Sequence, residues 1–333
     1  MKQRKLGNCG TVVSALGIGG MSFSDFYGPT DTEKSHAILN AALDLGIDHI
    51  DTANVYGNGV SEERIGSFLK DQGPSKSSMF KIATKAAIRR DENGKATFDN
   101  SAEHLKSELD KSLLRMGVDH VELFYVHRRE QERPIEEVAE TLAGFVRSGK
   151  IRQFGFSEIA PSSLSLAAKV HPVGAVQSEY SLSTRSVELG LVQKTAELGA
   201  SLVAFCPVGR SLLTDTPHSR QTAETIPFLK NNPRFMEPNL TRNIKATDEL
   251  RELALQMGVK TSSLAIAWLL HRGEHILPIP GTRSVEHLKE LAAGTDLKLK
   301  TEELEAINNI LPLGWAHGDR YSPPQWIAPE RYC

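Results

Sequence analysis

Short β-rich runs alternate with amphipathic stretches almost from end to end of the 333-residue chain, and this constrains its fold more than any other feature. The runs at 14–20, 48–53, 80–85 and 121–127 predict four strands, and those at 151–157, 175–180, 201–208 and 275–280 predict four more. Between them apolar residues recur at helical spacing: Ile38, Ala41, Ala42 and Leu45 within 32–46, then Leu105, Leu109, Leu113 and Met116 within 102–117. Gly46, Gly117 and Gly149 stand where helices would end, since glycine takes a left-handed cap at little cost. Thr30, Asp31 and Thr32 compete as the N-cap of the first helix, Thr30 having capping-box spacing to Glu33. Pro134, in the first turn, predicts a helix over 134–149.

Strands alternating with helices argue for a parallel α/β fold. A doubly wound sheet would carry G-x-G-x-x-G after its first strand, and Gly17, Gly19 and Gly20 do not have that spacing. A closed (β/α)8 TIM barrel, one domain over 1–333, fits the count better. Residues 2–13, polar and short, predict a hairpin capping the barrel floor. Three segments stand outside the repeat: a connection rich in Pro, Thr and Asn at 209–243, two helical patterns in 244–273, and an aromatic tail at 312–333 carrying Trp315, Tyr321 and Trp326.

Composition removes several function classes. Lys and Arg number 39 against 41 Asp and Glu, so the basic footprint of a nucleic-acid binder is missing. No apolar run approaches the roughly 20 residues of a membrane span. The charged N-terminus has no apolar core behind it, which predicts no secretory signal. Cys9, Cys206 and Cys333 are odd in number and form no CxxC pair, so neither a disulfide framework nor a zinc ribbon is expected. No H-x-H pair marks a metal-dependent hydrolase. The expectation is a soluble cytoplasmic protein.

Chemistry in a barrel sits at the C-terminal ends of its strands. Asp51 ends the second predicted strand, with Tyr56 just beyond it, Lys85 ends the third and His127 the fourth. Singly, each has an ordinary structural role; together they form a coherent set. A phenol with a pKa near 10 is a poor acid at neutral pH, and a nearby ammonium is expected to lower that value. Asp51 can hold the charge of Lys85, and His127 can hydrogen-bond a substrate oxygen. The set suits proton transfer to a carbonyl oxygen. An electron source must come from outside the side chains.

The stretch Gly46–Ile47–Asp48–His49–Ile50–Asp51–Thr52–Ala53–Asn54–Val55–Tyr56–Gly57, continued by Ser61–Glu62, resembles the signature of the aldo-keto reductase superfamily. Ala83–Thr84–Lys85 and Tyr125–Val126–His127–Arg128 resemble its next two catalytic blocks, and the likeness runs from about residue 2 to about residue 325. The resemblance implies a (β/α)8 barrel and reversible NADPH-dependent reduction of aldehydes or ketones by hydride transfer. It implies Asp51, Tyr56, Lys85 and His127 as the catalytic tetrad, with Tyr56 as general acid.

It also implies a cofactor site for NADP(H). Gly20 and Met21 resemble the turn at the nicotinamide ribose; Ser157, its neighbour Glu158 and Gln177 resemble the carboxamide contacts, and Phe205 the stacking aromatic. Glu158 stands where Asn is frequent, and a carboxylate can accept from the carboxamide NH2 but cannot donate. Pro207, Val208, Gly209 and Arg210 resemble the backbone at the pyrophosphate, and Pro233–Arg234–Phe235, followed by Asn239, resembles the loop that folds over the cofactor, with Arg234 a candidate partner of the pyrophosphate. Gly281, Thr282 and Arg283 before a helix start resemble the 2′-phosphate pocket, which favours NADP over NAD. Glu290 matches a Glu placed near the adenine, while Leu291 replaces the usual Asn. The partner expected is a small carbonyl or alcohol, with Phe26, Tyr27, Trp315 and Trp326 as an apolar wall and Arg128 available either to an anionic group or to an ion pair. A competing reading is a cofactor-binding regulatory subunit, as in channel-associated members of the superfamily.

Overall fold

Eight parallel strands follow one another around the sheet in chain order: Ile18–Gly19, His49–Asp51, Lys81–Ala86, Val121–Val126, Ile151–Ser157, Ala175–Glu179, Ser201–Phe205 and Ile276–Pro278. Gly17 and Gly19 donate backbone hydrogen bonds to Pro278 and Pro280, both at 2.9 Å, so the first strand meets the last and the sheet closes into a (β/α)8 barrel. This computed structural model describes residues 1–333 except 74–78, 91, 93, 94 and 333; Cys333 lies outside the described residues.

Each predicted strand is found, trimmed by a residue or more at most ends. Leu123 and Tyr125 point into the barrel with Ala83, Ala175, Val203, Leu277 and Ile279, while Phe124 and Val126 face the helices, as alternation along a strand requires. The N-terminal hairpin pairs Gln3–Lys5 with Val12–Ser14 and plugs the floor with Leu6 and Val13. Arg4 stitches it to the carbonyls of Leu270, Gly273 and Ile276 at 2.6–2.7 Å.

Among the three candidate caps, Asp31 caps helix Thr32–Asp44, accepting from the Lys34 amide at 2.7 Å. That helix buries Ser35, Ile38, Leu39 and Ala42, a face rotated from the expected one. Pro134 precedes helix Ile135–Arg147 as its cap residue rather than lying in its first turn. Segment 209–243 holds short helices at Arg220–Thr225 and Pro227–Lys230 and runs into helix Asn239–Ala246. Two further helices, Asp248–Gln256 and Thr261–Leu270, fill most of 244–273. Helix Thr301–Ile310 and an irregular tail complete the chain. Among the described residues no single helix is long and apolar enough to cross a membrane.

Candidate active site

Asp51, Lys85, Tyr56 and His127 come together at the C-terminal mouth. Lys85 Nζ donates to one carboxylate oxygen of Asp51 and, at 2.7 Å, to the Thr52 carbonyl; it lies 3.4 Å from the Tyr56 hydroxyl. The other Asp51 oxygen accepts from Gln177 Nε2 at 2.7 Å. Lys85 and Asp51 are almost wholly shielded from solvent, at 0 % and 2 % side-chain exposure. The His127 ring meets the Tyr56 ring edge-on at 5.8 Å, and its Nδ1 is buried with no partner among the described residues.

Burial sets the protonation states. It pushes the Lys85 ammonium below the usual lysine range, and Asp51 opposes that shift. Burial, with Arg128 and Lys85 as lesser causes, holds His127 well below the ordinary imidazole value, so the ring is neutral. The Tyr56 phenol is raised, first by burial and then by Asp51. This corrects the expected lowering by Lys85: that ammonium is turned to Asp51 and Thr52, and the phenol stays protonated.

Several expected cofactor contacts are engaged within the protein. Both oxygens of Glu158 accept from Arg320, and one also accepts the Glu179 amide at 2.9 Å, so the carboxylate is turned into the protein. Arg210 grips Glu179 with two hydrogen bonds of 2.8 and 2.9 Å. Arg234, buried rather than solvated, donates to Thr184 Oγ1 at 2.6 Å and to the Gly318 carbonyl at 3.3 Å. Two carboxylates and three guanidiniums thus share one buried cluster that ties 209–243 and the tail to the ends of the fifth and sixth strands. Neither Glu179 nor Arg320 was singled out from sequence. The one available signal was a carboxylate at the end of a buried strand, which demands a cation without saying which.

Other expected residues divide between the mouth and its surroundings. Ser157 is buried, and its Oγ accepts from Arg128 at 2.9 Å. Phe205 is half-buried at the end of the seventh strand, followed by buried Pro207 and half-buried Val208. Gly209 takes φ +59°, where a side chain is strained. Gly20 and Met21 follow the first strand directly. A Cβ on Gly281 would stand 2.4 Å from Ser22 Oγ and 3.0 Å from the Gly19 carbonyl, so a glycine is needed where the first and last strands close. Thr282 Oγ1 accepts the Ser284 amide at 3.1 Å, and exposed Arg283 touches the Pro29 carbonyl at 3.3 Å. Glu290 pairs with Lys260 at 3.8 Å, and Leu291 is buried in the core.

Acid should weaken the buried cluster. The guanidiniums of Arg210, Arg320 and Arg234 overcome desolvation and hold the Glu179 carboxyl down to about 2. Because the folded value lies below the unfolded one near 4.5, the stabilisation is full above pH 4.5 and drains away as pH falls toward 2. The difference is worth about 3 kcal/mol. Melting temperature followed from pH 6 to pH 2 should therefore show a fall that is shallower in Glu179→Gln, which should also melt lower at neutral pH.

The aldo/keto reductase family model matches residues 15–312. The chain is 35 % identical over 324 residues to aldo-keto reductase yakc [NADP(+)] of Schizosaccharomyces pombe, covering 96 % of this chain and 94 % of that one. It is 33 % identical over 321 residues to probable aldo-keto reductase 1 of Glycine max, covering 95 % and 91 %. Among solved structures, the glycerol dehydrogenase AKR11B4 of Gluconobacter oxydans superposes with TM-score 0.81 at 27 % identity, over 93 % of this chain and 94 % of that one. The holo form of AKR11C1 of Bacillus halodurans gives 0.77 at 26 %, over 98 % and 99 %. With the family model spanning most of the barrel and curated relatives matching almost end to end, the chain belongs to the aldo-keto reductase family.

Proposed function

We propose that the barrel mouth reduces aldehydes or ketones to alcohols, reversibly, with NADPH as reductant and Tyr56 as general acid. The observation that carries this reading is the buried Gln177–Asp51–Lys85 chain ending 3.4 Å from a half-buried phenol, beside a neutral histidine. The residues around the mouth fit a dinucleotide. Ser157 Oγ accepts from Arg128 and so keeps its own proton to donate, and Phe205 offers a flat apolar face. Arg283 and the first amides of helix Val285–Ala293 present a cation and free donors to a phosphate. Residues 207–210 would line the pyrophosphate and 209–243 would cover it. NADPH, when bound, supplies the electron pair that no side chain here carries.

Tyr56 then hands its hydroxyl proton to the substrate oxygen as negative charge develops there. Its raised pKa keeps it protonated until that moment. Proton loss leaves a phenolate next to the Lys85 ammonium, so the attraction grows along the reaction rather than before it. Asp51 and Gln177 hold Lys85 in place, and His127 orients the carbonyl oxygen by a hydrogen bond. Cofactor absorbance followed with a panel of aldehydes, ketones and alcohols, using NADPH and NADH in parallel, tests the reading.

Cofactor choice rests on Arg283. Removing one charge-assisted contact to a phosphate costs about 1.5–3 kcal/mol. Arg283→Ala should therefore weaken NADPH binding by roughly 10- to 150-fold, with little effect on NADH, which has no 2′-phosphate. Titration calorimetry on both proteins with both cofactors gives the ratio; equal losses would return Arg283 to a purely structural role.

A further inference from the structure

Most guanidiniums around the mouth are paired with carboxylates; Arg283 and Arg128 are not, among the described residues. Arg129 meets Glu330, Arg133 meets Glu130 and Glu137, Arg210 meets Glu179 and Arg320 meets Glu158. Arg128, next in sequence to His127, makes no ion pair among the described residues. Its Nη1 donates to two neutral oxygens, the His127 carbonyl at 2.7 Å and Ser157 Oγ at 2.9 Å. Its Nε and Nη2 meet no acceptor among the described residues and are not among the fully buried unpartnered atoms, so solvent reaches them. Those two donors form one edge of the planar guanidinium, the edge that grips a carboxylate with two parallel hydrogen bonds. The Nη1 bonds fix that edge in place, so little side-chain freedom is left to lose on binding.

The charge is also felt at the chemistry. Burial raises the Tyr56 and Tyr321 phenols and the Arg128 charge works against that rise, while at His127 and Lys85 it adds to the lowering that burial causes.

We propose that Arg128 is a specificity-determining residue whose free Nε–Nη2 edge binds a carboxylate on the substrate, so that the preferred substrates are carbonyl compounds that also carry a carboxylate. This rests on the carbonyl-reductase reading, and two measurements separate their failures. The first is calorimetric binding of benzoate and of its neutral isostere benzamide to the NADP⁺-loaded protein. Benzoate should bind roughly 10- to 150-fold more tightly, and that ratio should collapse toward one in Arg128→Gln and return in part in Arg128→Lys. The second is the ratio of kcat/KM for 4-carboxybenzaldehyde over 4-methylbenzaldehyde, which should fall by a similar factor in Arg128→Gln. A role only in seating Ser157 would lower both aldehydes together and leave both ratios unchanged, which overturns the proposal. Arg128-dependent benzoate binding without turnover of either aldehyde would sustain the carboxylate site and sink the reductase reading instead.

Discussion

Replacing Tyr56 by phenylalanine should lower turnover roughly 100- to 10,000-fold, the usual span for a general acid. The substitution removes one oxygen and keeps the ring that packs edge-on against His127 at 5.8 Å. The Lys85–Asp51 pair does not depend on the phenol, because Lys85 retains Asp51 and the Thr52 carbonyl. The loss should therefore fall on kcat, with NADPH affinity little altered. Steady-state kinetics with a good aldehyde substrate, together with cofactor titration, separates the two. A Phe variant that reduces carbonyls near the wild-type rate would remove Tyr56 from the mechanism.

Lys85→Met should be damaging in two ways. Removing the ammonium leaves the Asp51 carboxylate buried at 2 % exposure with Gln177 as its remaining side-chain partner. Breaking a buried pair on one side costs about 3–5 kcal/mol. Turnover should collapse as well, since no cation would then stabilise the phenolate left after proton transfer. Denaturant unfolding and the pH–rate profile read these effects independently. Unchanged melting and unchanged rate together would mean that the charge has no buried role.

The barrel was legible because its periodicities are local. Each strand run carries its own β-rich stretch, and each glycine stop sits next to the helix it ends. The first helix shows the limit of that information: Leu39 is buried while Ala41 and Leu45 are only partly covered. Which part of an apolar stripe faces inward depends on how the helix settles between its neighbours, and no local pattern contains that. The antiparallel ribbon Ile88–Arg90 with Ala96–Phe98 was missed because its residues are mostly exposed and lack an apolar alternation.

At the site, the residues brought together at the mouth were legible because each stands at or just beyond a strand end. The Glu158–Arg320 and Glu179–Arg210 pairs were not, because a carboxylate needing a cation does not specify a partner contributed by the tail or by another loop. Those pairs also explain why a glutamate is tolerated beside Ser157. Its charge is paired with Arg320 inside the protein.

The most direct test of carbonyl reduction is product stoichiometry. Purified protein with NADPH and an excess of an aromatic aldehyde should form one alcohol for each NADPH consumed, with NADH supporting a slower reaction and Tyr56→Phe almost none. NADPH that binds with normal affinity but is not consumed across a broad panel of aldehydes and ketones, nor regenerated from alcohols with NADP⁺, would contradict the account and leave a barrel that holds its cofactor for some purpose other than reduction.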